Sequence, residues 1–217
     1  MNAAQYAYLH TRVSLYAGQL LGLDRLSALI DRPLDEDHPA PGADPPDTPA
    51  NQYAGDLDQS NVTILLKELS VLIRPLSGAP RELLGYWAHR FELSNLKTII
   101  RGKMADQSQQ AIEEQLLDMG VFTSLPIDEL LQSDTTAELL RRLEQTPYAE
   151  IALQARNLLE HGEALFAIDA ALDRRYFAGL ARRGSEIGSA SGQLLRAIIG
   201  SIIDRLNLVW LLRYRFA

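Results

Sequence analysis

The residues best suited to chemistry occur twice in the chain, in the same order and at the same spacing. Residues 81–104 align without gaps with residues 193–216. Both stretches contain an acidic residue, Asn-Leu three positions later, two aliphatic residues and then Arg. The matched positions, here called the first and second copies of the signature, are Glu92, Asn95, Leu96 and Arg101, and then Asp204, Asn207, Leu208 and Arg213. The first copy also carries Lys97.

Helical spacing places the acidic residue and the Asn of each copy on one face, beside the aliphatic stripe. Asn is a mediocre helix former, so its repeated position predicts a buried amide that bonds to a neighbouring helix and fixes register. The closing Arg lies in the last helical turn, where a cation complements the helix dipole and can bond to free carbonyls. A repeated ligand or metal site is the alternative interpretation.

The sequence contains no recognisable catalytic, cofactor-binding or metal-binding set. It has no cysteine, which removes disulfides, thiol nucleophiles and thiolate metal sites. It has no Gly-rich phosphate loop, and its four histidines occur in neither His-Glu-x-x-His nor Glu-x-x-His spacing. We therefore predict that the protein is not an enzyme. An all-α hydrolase with an unrecognised carboxylate site is a further hypothesis that no sequence feature favours.

Charge is unevenly distributed along the chain. The net charge is −7, yet the stretch from 33 to 60 holds seven acidic residues and no Lys or Arg. From residue 174 onward there are eight arginines and only two acidic residues. The overall acidity argues against a nucleic-acid partner, whereas the basic end suits an anionic protein surface or lipid headgroups. Two arginine pairs are therefore candidates for facing a partner, with solvated surface charge as the alternative: Arg174, Arg175, Arg182 and Arg183.

The dominant hydrophobic period is helical and no alternating strand pattern occurs, so the sequence predicts an all-α protein. Six of the ten prolines fall between 33 and 49, where they favour an exposed loop. Asp134 or Thr135 is predicted to cap a helix that begins at 136. The predicted helices cover 81–103, 108–119, 127–131, 136–145, 148–162 and 193–216, and apolar stripes indicate helices over 20–30 and 64–73.

The repeat predicts two helical modules. Module 1 covers residues 1–104 and contains the acidic, Pro-rich segment at about 33–58 as a loop insertion. Module 2 covers residues 105–217 and ends in the second copy of the signature. Copies this far apart indicate two similar modules rather than a solenoid, whose repeats are roughly 20 to 50 residues long.

The sequence predicts neither a membrane span nor a secretory signal. The most apolar stretch, 194–212, carries Arg196, Asp204, Arg205 and Asn207, whereas a span needs about 18 apolar residues with few or no charges. Residues 1–15 lack a basic start followed by an apolar run.

With these motifs in place, the chain resembles the family of C and d subunits of V-type and archaeal A-type rotary ATPases over nearly its whole length. The segment most similar to the family is 92–101, with its acidic residue, Asn-Leu-Lys and closing Arg. Each motif alone is degenerate, so the resemblance depends on their order and spacing. The other similar segments are Tyr6 to Tyr8 with Arg12 and Leu20-Leu21, Leu143 to Tyr148, Leu172 to Phe177, and Asp204 to Leu208 with Arg213.

The resemblance implies a non-catalytic central-stalk subunit with a funnel-shaped helical fold. Such a protein lies on the cytoplasmic face of the membrane, peripheral to it, and links the rotating shaft subunits to the proteolipid c-ring. It couples ATP hydrolysis or synthesis to proton or sodium transport and needs no cofactor of its own.

Two features depart from the family pattern. The acidic, Pro-rich insertion is unusual, and family members generally continue into a third module, so we expect an apparently truncated member with about two of the three modules. A free-standing α-helical protein-interaction scaffold is the alternative function. It predicts no affinity for ring or shaft.

Overall fold

The computed structural model describes residues 3–20, 22–24, 27, 50–161, 165–188 and 190–216. Every regular element within these ranges is helical, which confirms the all-α prediction. A short 3-10 turn covers Gly120–Phe122. The helices are α1 (Ala3–Gln19), α2 (Ala50–Ile73), α3 (Gly78–Met104), α4 (Gln109–Glu113), α5 (Ile127–Leu131), α6 (Thr136–Leu143), α7 (Ala149–Glu160), α8 (Leu165–Glu186) and α9 (Ala190–Phe216).

The chain folds as two compact units, residues 1–76 and 77–217. Helix α3 therefore belongs to the same unit as the helices that follow it. The predicted modules, 1–104 and 105–217, were defined by the sequence repeat rather than by compactness, and they remain a prediction.

In unit 1, helices α1 and α2 are joined by a polar contact. The hydroxyl of Tyr16 donates a hydrogen bond to the carboxylate of Glu68, and the Arg12 guanidinium lies 5.5 Å from the centre of the Tyr16 ring. Helix α2 begins at Ala50. Residues 50–58 are therefore helical, and the prediction that they belong to a loop is wrong. The rest of the predicted acidic loop and most of the 20–30 stripe lie outside the described residues.

The core of unit 2 forms around α3. Leu96, Ile99 and Ile100 are at most 1% exposed, because this stripe faces aliphatic side chains from α4, α5, α6 and α8. Full burial of each such side chain stabilises the unit by roughly 1.5–3 kcal/mol. Helix α3 thus provides the central face on which the shorter helices assemble.

The end of α3 directs the chain back toward that face. Asp106 has a φ of 51°, and the N–H of Gln107 donates to the carbonyl of Gly102 at 2.9 Å. A left-handed residue with this six-to-one hydrogen bond is a Schellman ending. A Cβ on Gly102 would lie 2.5 Å from the Ile112 side chain, so glycine allows α4 to pack closely against α3.

Two predictions about the shorter helices had different outcomes. Thr135, one of the two predicted caps, accepts a hydrogen bond from the N–H of Glu138 at 3.2 Å and caps α6. The prediction of a helix over 108–119 is wrong beyond Glu113, where α4 ends. The N–H and C=O of Leu117 both bond to a side chain of α3, so this peptide unit is not available for a helical ladder.

Helices α3 and α8 meet where an aromatic ring contacts a helix backbone. The rings of Tyr86 and Tyr176 are stacked with their centres 5.3 Å apart, and the Tyr86 hydroxyl donates to the Tyr176 carbonyl at 3.2 Å. A Cβ on Gly179 would overlap that hydroxyl oxygen. The glycine therefore allows the Tyr86 ring to lie against α8.

We expect Gly179→Ala to lower the free energy of unfolding by about 1–3 kcal/mol, as overpacking does when the neighbouring ring cannot move away. Gly200→Ala in α9 is the matched control, because a Cβ there meets nothing within 4 Å. It should raise stability by up to about 1 kcal/mol through helix propensity. Denaturant unfolding followed by circular dichroism measures both, and equal effects would contradict the close packing at Gly179.

Candidate functional site

The carboxylate of Glu92 is the most fully engaged polar group in the first copy of the signature. The residue is 0% exposed. Its Oε1 accepts the backbone N–H groups of Ser124, at 2.5 Å, and Leu125, at 2.8 Å. Its Oε2 accepts the hydroxyls of Ser124 and Tyr148, each at 2.6 Å, and lies 3.0 Å from Nδ1 of His89. Because a carboxylate only accepts hydrogen bonds, Nδ1 is the protonated nitrogen in this arrangement.

These hydrogen bonds determine the charge state of the Glu92 cluster, defined as Glu92, His89, Ser124, Leu125 and Tyr148. Burial by itself raises the pKa of Glu92, but the hydrogen bonds from His89, Ser124 and Tyr148 outweigh it and lower the pKa from 4.5 to about 2. Burial and the negative charge of Glu92 raise the pKa of Tyr148. Glu92 is therefore ionised at neutral pH, and Tyr148 stays protonated as its donor.

Asn95, one turn further along α3, holds a single peptide unit. Its amide nitrogen donates to the carbonyl of Leu117 and its amide oxygen accepts the N–H of the same residue, each at 2.8 Å. The side chain is buried, as predicted from the apolar stripe. Its partner is the irregular segment after α4, however, and not a neighbouring helix. Asn95 thereby replaces the hydrogen bonds that a longer α4 would have formed.

The two cations of the first copy reach across to α8. Lys97 lies 2.5 Å from the carboxylate of Asp173, and Arg101 forms an ion pair with Asp169. Both pairs combine residues four apart on each helix, so they form two successive rungs between antiparallel helices. The sequence predicts that Arg101 bonds to free carbonyls at the end of its helix. In the structure its guanidinium pairs with Asp169 instead. Leu96, next to Lys97 in sequence, is fully buried in the core.

The second copy of the signature has a different environment. Asp204 and Asn207 are exposed, and neither side chain has a hydrogen-bond partner among the described residues. Arg213 is exposed as well and lies 5.3 Å from the Trp210 ring centre. The sequence pattern predicts a buried amide at Asn207, and the structure contradicts it. The aliphatic positions of this copy are also exposed: Leu208 by 56%, Leu211 by 65% and Leu212 by 47%.

The four arginines singled out on α8 differ in their contacts. Arg174 and Arg182 are exposed, without a carboxylate partner in the described part of the chain. Arg175 forms an ion pair with Glu150 at the start of α7. The guanidinium of Arg183 lies 3.8 Å from the centre of the Tyr86 ring and donates to the Gly179 carbonyl at 3.3 Å.

Sequence reasoning did not find the partners of the signature. His89 lies three residues before Glu92, a spacing that places two side chains on one helix face, so it could have been recognised. Ser124, Asp169 and Asp173 carry no such local signal, because they lie 32 to 76 residues away from their partners. Within the described ranges no three His, Asp or Glu side chains group as a metal site requires.

The arrangement can therefore hold backbone segments and helices in fixed register. The profile of the family described as ATP synthase (C/AC39) subunit matches residues 44–217, which include both copies of the signature. The chain belongs to this ATP synthase (C/AC39) subunit family. This confirms the resemblance inferred from the motifs.

Curated relatives of this ATP synthase (C/AC39) family chain include several named as the C subunit of an A-type ATP synthase. The protein from Methanosarcina mazei is 28% identical over 99% of this chain and 60% of its own length. The protein from Methanosarcina acetivorans is 27% identical over the same shares. That from Methanocaldococcus jannaschii is 24% identical over 98% of this chain and 55% of its own length. The chain thus spans about 60% of the length of these relatives.

No solved structure matches this family member. Among its described helices, none is long and apolar enough to cross a membrane.

Proposed function

We propose that the chain is a non-catalytic central-stalk subunit of a V/A-type rotary ATPase. It links the rotating shaft subunits to the proteolipid c-ring and couples ATP hydrolysis or synthesis to proton or sodium transport. In this role it lies peripherally on the cytoplasmic face of the membrane. The observation that carries the proposal is the family match over residues 44–217, together with relatives named as C subunits of A-type ATP synthases.

The geometry of the first copy supports a mechanical role. A protein that transmits torque must resist sliding of its helices past one another. Directional hydrogen bonds at buried positions resist such shear better than apolar contacts, which tolerate displacement. Three sets of contacts fix α3 against other parts of unit 2: the Glu92 cluster, the two hydrogen bonds between Asn95 and Leu117, and the two ion pairs from α3 to α8.

The exposed face of α9 supports a place within a larger assembly. It carries Leu208, Leu211 and Leu212, and beside them Asp204 and Asn207, whose side chains have no hydrogen-bond partner among the described residues. Contiguous exposed apolar residues generally mark surfaces that other protein elements cover.

The proposal is tested by reconstitution. The full chain, carrying an affinity tag, is mixed with purified shaft subunits and, separately, with detergent-solubilised c-ring of the same source. We expect stable complexes with both on size-exclusion chromatography, and a ternary complex when all three are combined. Failure to bind either partner would overturn the proposal and leave the interaction-scaffold hypothesis.

A further inference from the structure

A cleft of about 620 Å³ opens in unit 2 between α3, the start of α7 and α8. This volume is in the range of ligand-binding pockets, roughly 300–1,000 Å³. Its charged and aromatic lining residues include Tyr86, His89, Glu150, Arg175, Arg182 and Arg183. Three guanidinium groups and one opposing carboxylate give the lining an excess of positive charge.

Two of the three arginines are available to an incoming anion. Arg182 is exposed and has no carboxylate partner in the part of the chain that the structure describes. Arg175 is paired with Glu150, but the two side chains are 55% and 70% exposed, and such solvated pairs contribute little stability. A second carboxylate can therefore displace Glu150 at low cost. Arg183 is less available, because its guanidinium already lies over the Tyr86 ring and donates to the Gly179 carbonyl.

The spacing of Arg175 and Arg182 suits a ligand that carries two separated anionic groups. Seven residues are two helical turns, so the two side chains lie on the same face of α8 and about 10 Å apart along its axis. Ala178 lies between them and is exposed, so the middle of the row is open on its side. A ligand with two carboxylates about 10 Å apart can pair one carboxylate with each guanidinium, and neither arginine side chain has to lean toward the other.

Tyr86, an aromatic residue of the lining, is already covered and offers no free face to a planar ligand. One face of Tyr86 is covered by Tyr176 and Arg183 lies over the ring, so this ring is not free to stack on a base or another aromatic group. Pro147, Ile151 and Ala178 add apolar surface that suits an aliphatic side chain. These features describe a binding surface for polypeptide.

We propose that this cleft binds an acidic helix of a partner protein, with two carboxylates seven residues apart pairing with Arg175 and Arg182. A helix lying along α8 has the same rise per residue, so its spacing matches that of the arginines directly. Guanidinium groups bind carboxylates through paired, charge-assisted hydrogen bonds, which gives such a contact both strength and geometry. The inference concerns the cleft itself and does not depend on which complex contains the chain.

The test uses the full chain and fluorescently labelled synthetic peptides, with binding followed by anisotropy at low ionic strength. The probe is an Ala-rich helical peptide with two Glu residues seven positions apart. Its control has the same composition but places the two Glu residues five positions apart, on opposite sides of the helix. We expect the first peptide to bind about tenfold more tightly, a difference of about 1.4 kcal/mol.

Matched variants of the chain locate the binding. Arg175→Ala and Arg182→Ala should each weaken binding of the probe about tenfold, the loss of one charge-assisted contact. Arg174→Ala removes the same charge next to Arg175 but outside the cleft lining, and should leave the affinity within about twofold. Melting temperatures verify that each variant is folded.

Three results would overturn the proposal. One is no binding of the probe, and another is equal binding of the two peptides. The third is displacement of the probe by inorganic phosphate when the total ionic strength is held constant with another salt. That result would indicate a site for single phosphate groups.

Discussion

Replacement of Glu92 by Gln should lower the free energy of unfolding at pH 7 by about 3 kcal/mol, the equivalent of a pKa held near 2 instead of 4.5. The amide NH₂ of Gln is a donor, so one of the two oxygen positions would face the N–H or O–H donors of Ser124, Leu125 or Tyr148 without accepting from them. Buried donors left unpaired are costly. Urea unfolding of the two proteins at pH 7 gives the difference.

The pH dependence separates the charge of Glu92 from a general loss of packing. Because its pKa is lowered in the folded state, the ionised carboxylate contributes stability above pH 4.5 that is lost as the pH falls toward 2. The Glu92→Gln variant should lack this loss, so its stability should approach that of the parent protein in acid. The matched control is Asp204→Asn, the same change at the exposed acid of the second copy, with an expected effect within about 0.5 kcal/mol. Parallel pH profiles for the parent and the Gln variant would contradict a low pKa for Glu92.

Replacement of Asn95 by Ala should have the second-largest effect, a loss of about 2–4 kcal/mol. The substitution removes both hydrogen bonds to Leu117 and leaves a peptide N–H and C=O without these partners in a partly buried segment. Hydrogen exchange at the Leu117 amide should accelerate as well, because this N–H donates to the side chain that the substitution removes.

Asn207→Ala is the control for Asn95→Ala. The two residues occupy equivalent positions of the repeat, yet Asn207 is exposed and has no hydrogen-bond partner in the described ranges. We expect its replacement to change the free energy of unfolding by less than about 0.5 kcal/mol, or to raise stability slightly through the better helix propensity of Ala. A loss at Asn207 as large as that at Asn95 would show that exposure does not distinguish the two copies.

The features that could be predicted from the sequence are those that nearby residues determine. The helix pattern of α3 and the cap at Thr135 depend on residues within a few turns, and the structure confirms both. The burial of Leu96 and its neighbours follows from an unbroken aliphatic stripe. Family membership was accessible as well, because it depends on the order of several short motifs.

The difference between the two copies of the signature was not predictable from their residues. An acidic residue and an Asn beside an aliphatic stripe have the same chemistry in either helix. Their burial depends on whether another segment covers the face. In the first copy the segment 114–125 and α8 provide that cover, whereas α9 has no such cover over Leu208 or Leu211 in the described structure.

Contacts between residues far apart in the chain also determine local structure, and helix propensity alone does not predict their effect. The apolar spacing in 108–119 is typical of a helix, but α4 ends at Glu113. The two hydrogen bonds from Asn95 to Leu117 compensate for the helical bonds that are missing there. The cleft likewise depends on Tyr86 and Arg183, which lie on different helices and far apart in the chain.

The Glu92 cluster also bears on the order in which unit 2 folds. Apart from His89, which lies three residues before it, its donors lie 32, 33 and 56 residues further along the chain. A carboxylate that loses its water before these donors arrive is a buried, unpaired charge, which is strongly unfavourable. We therefore expect the face of α3 that carries Glu92 to stay hydrated until the segment after α4 and the start of α7 reach it. Dehydration of this side chain would then be a late, cooperative step in folding, which follows the collapse of the leucine-rich surfaces of α3.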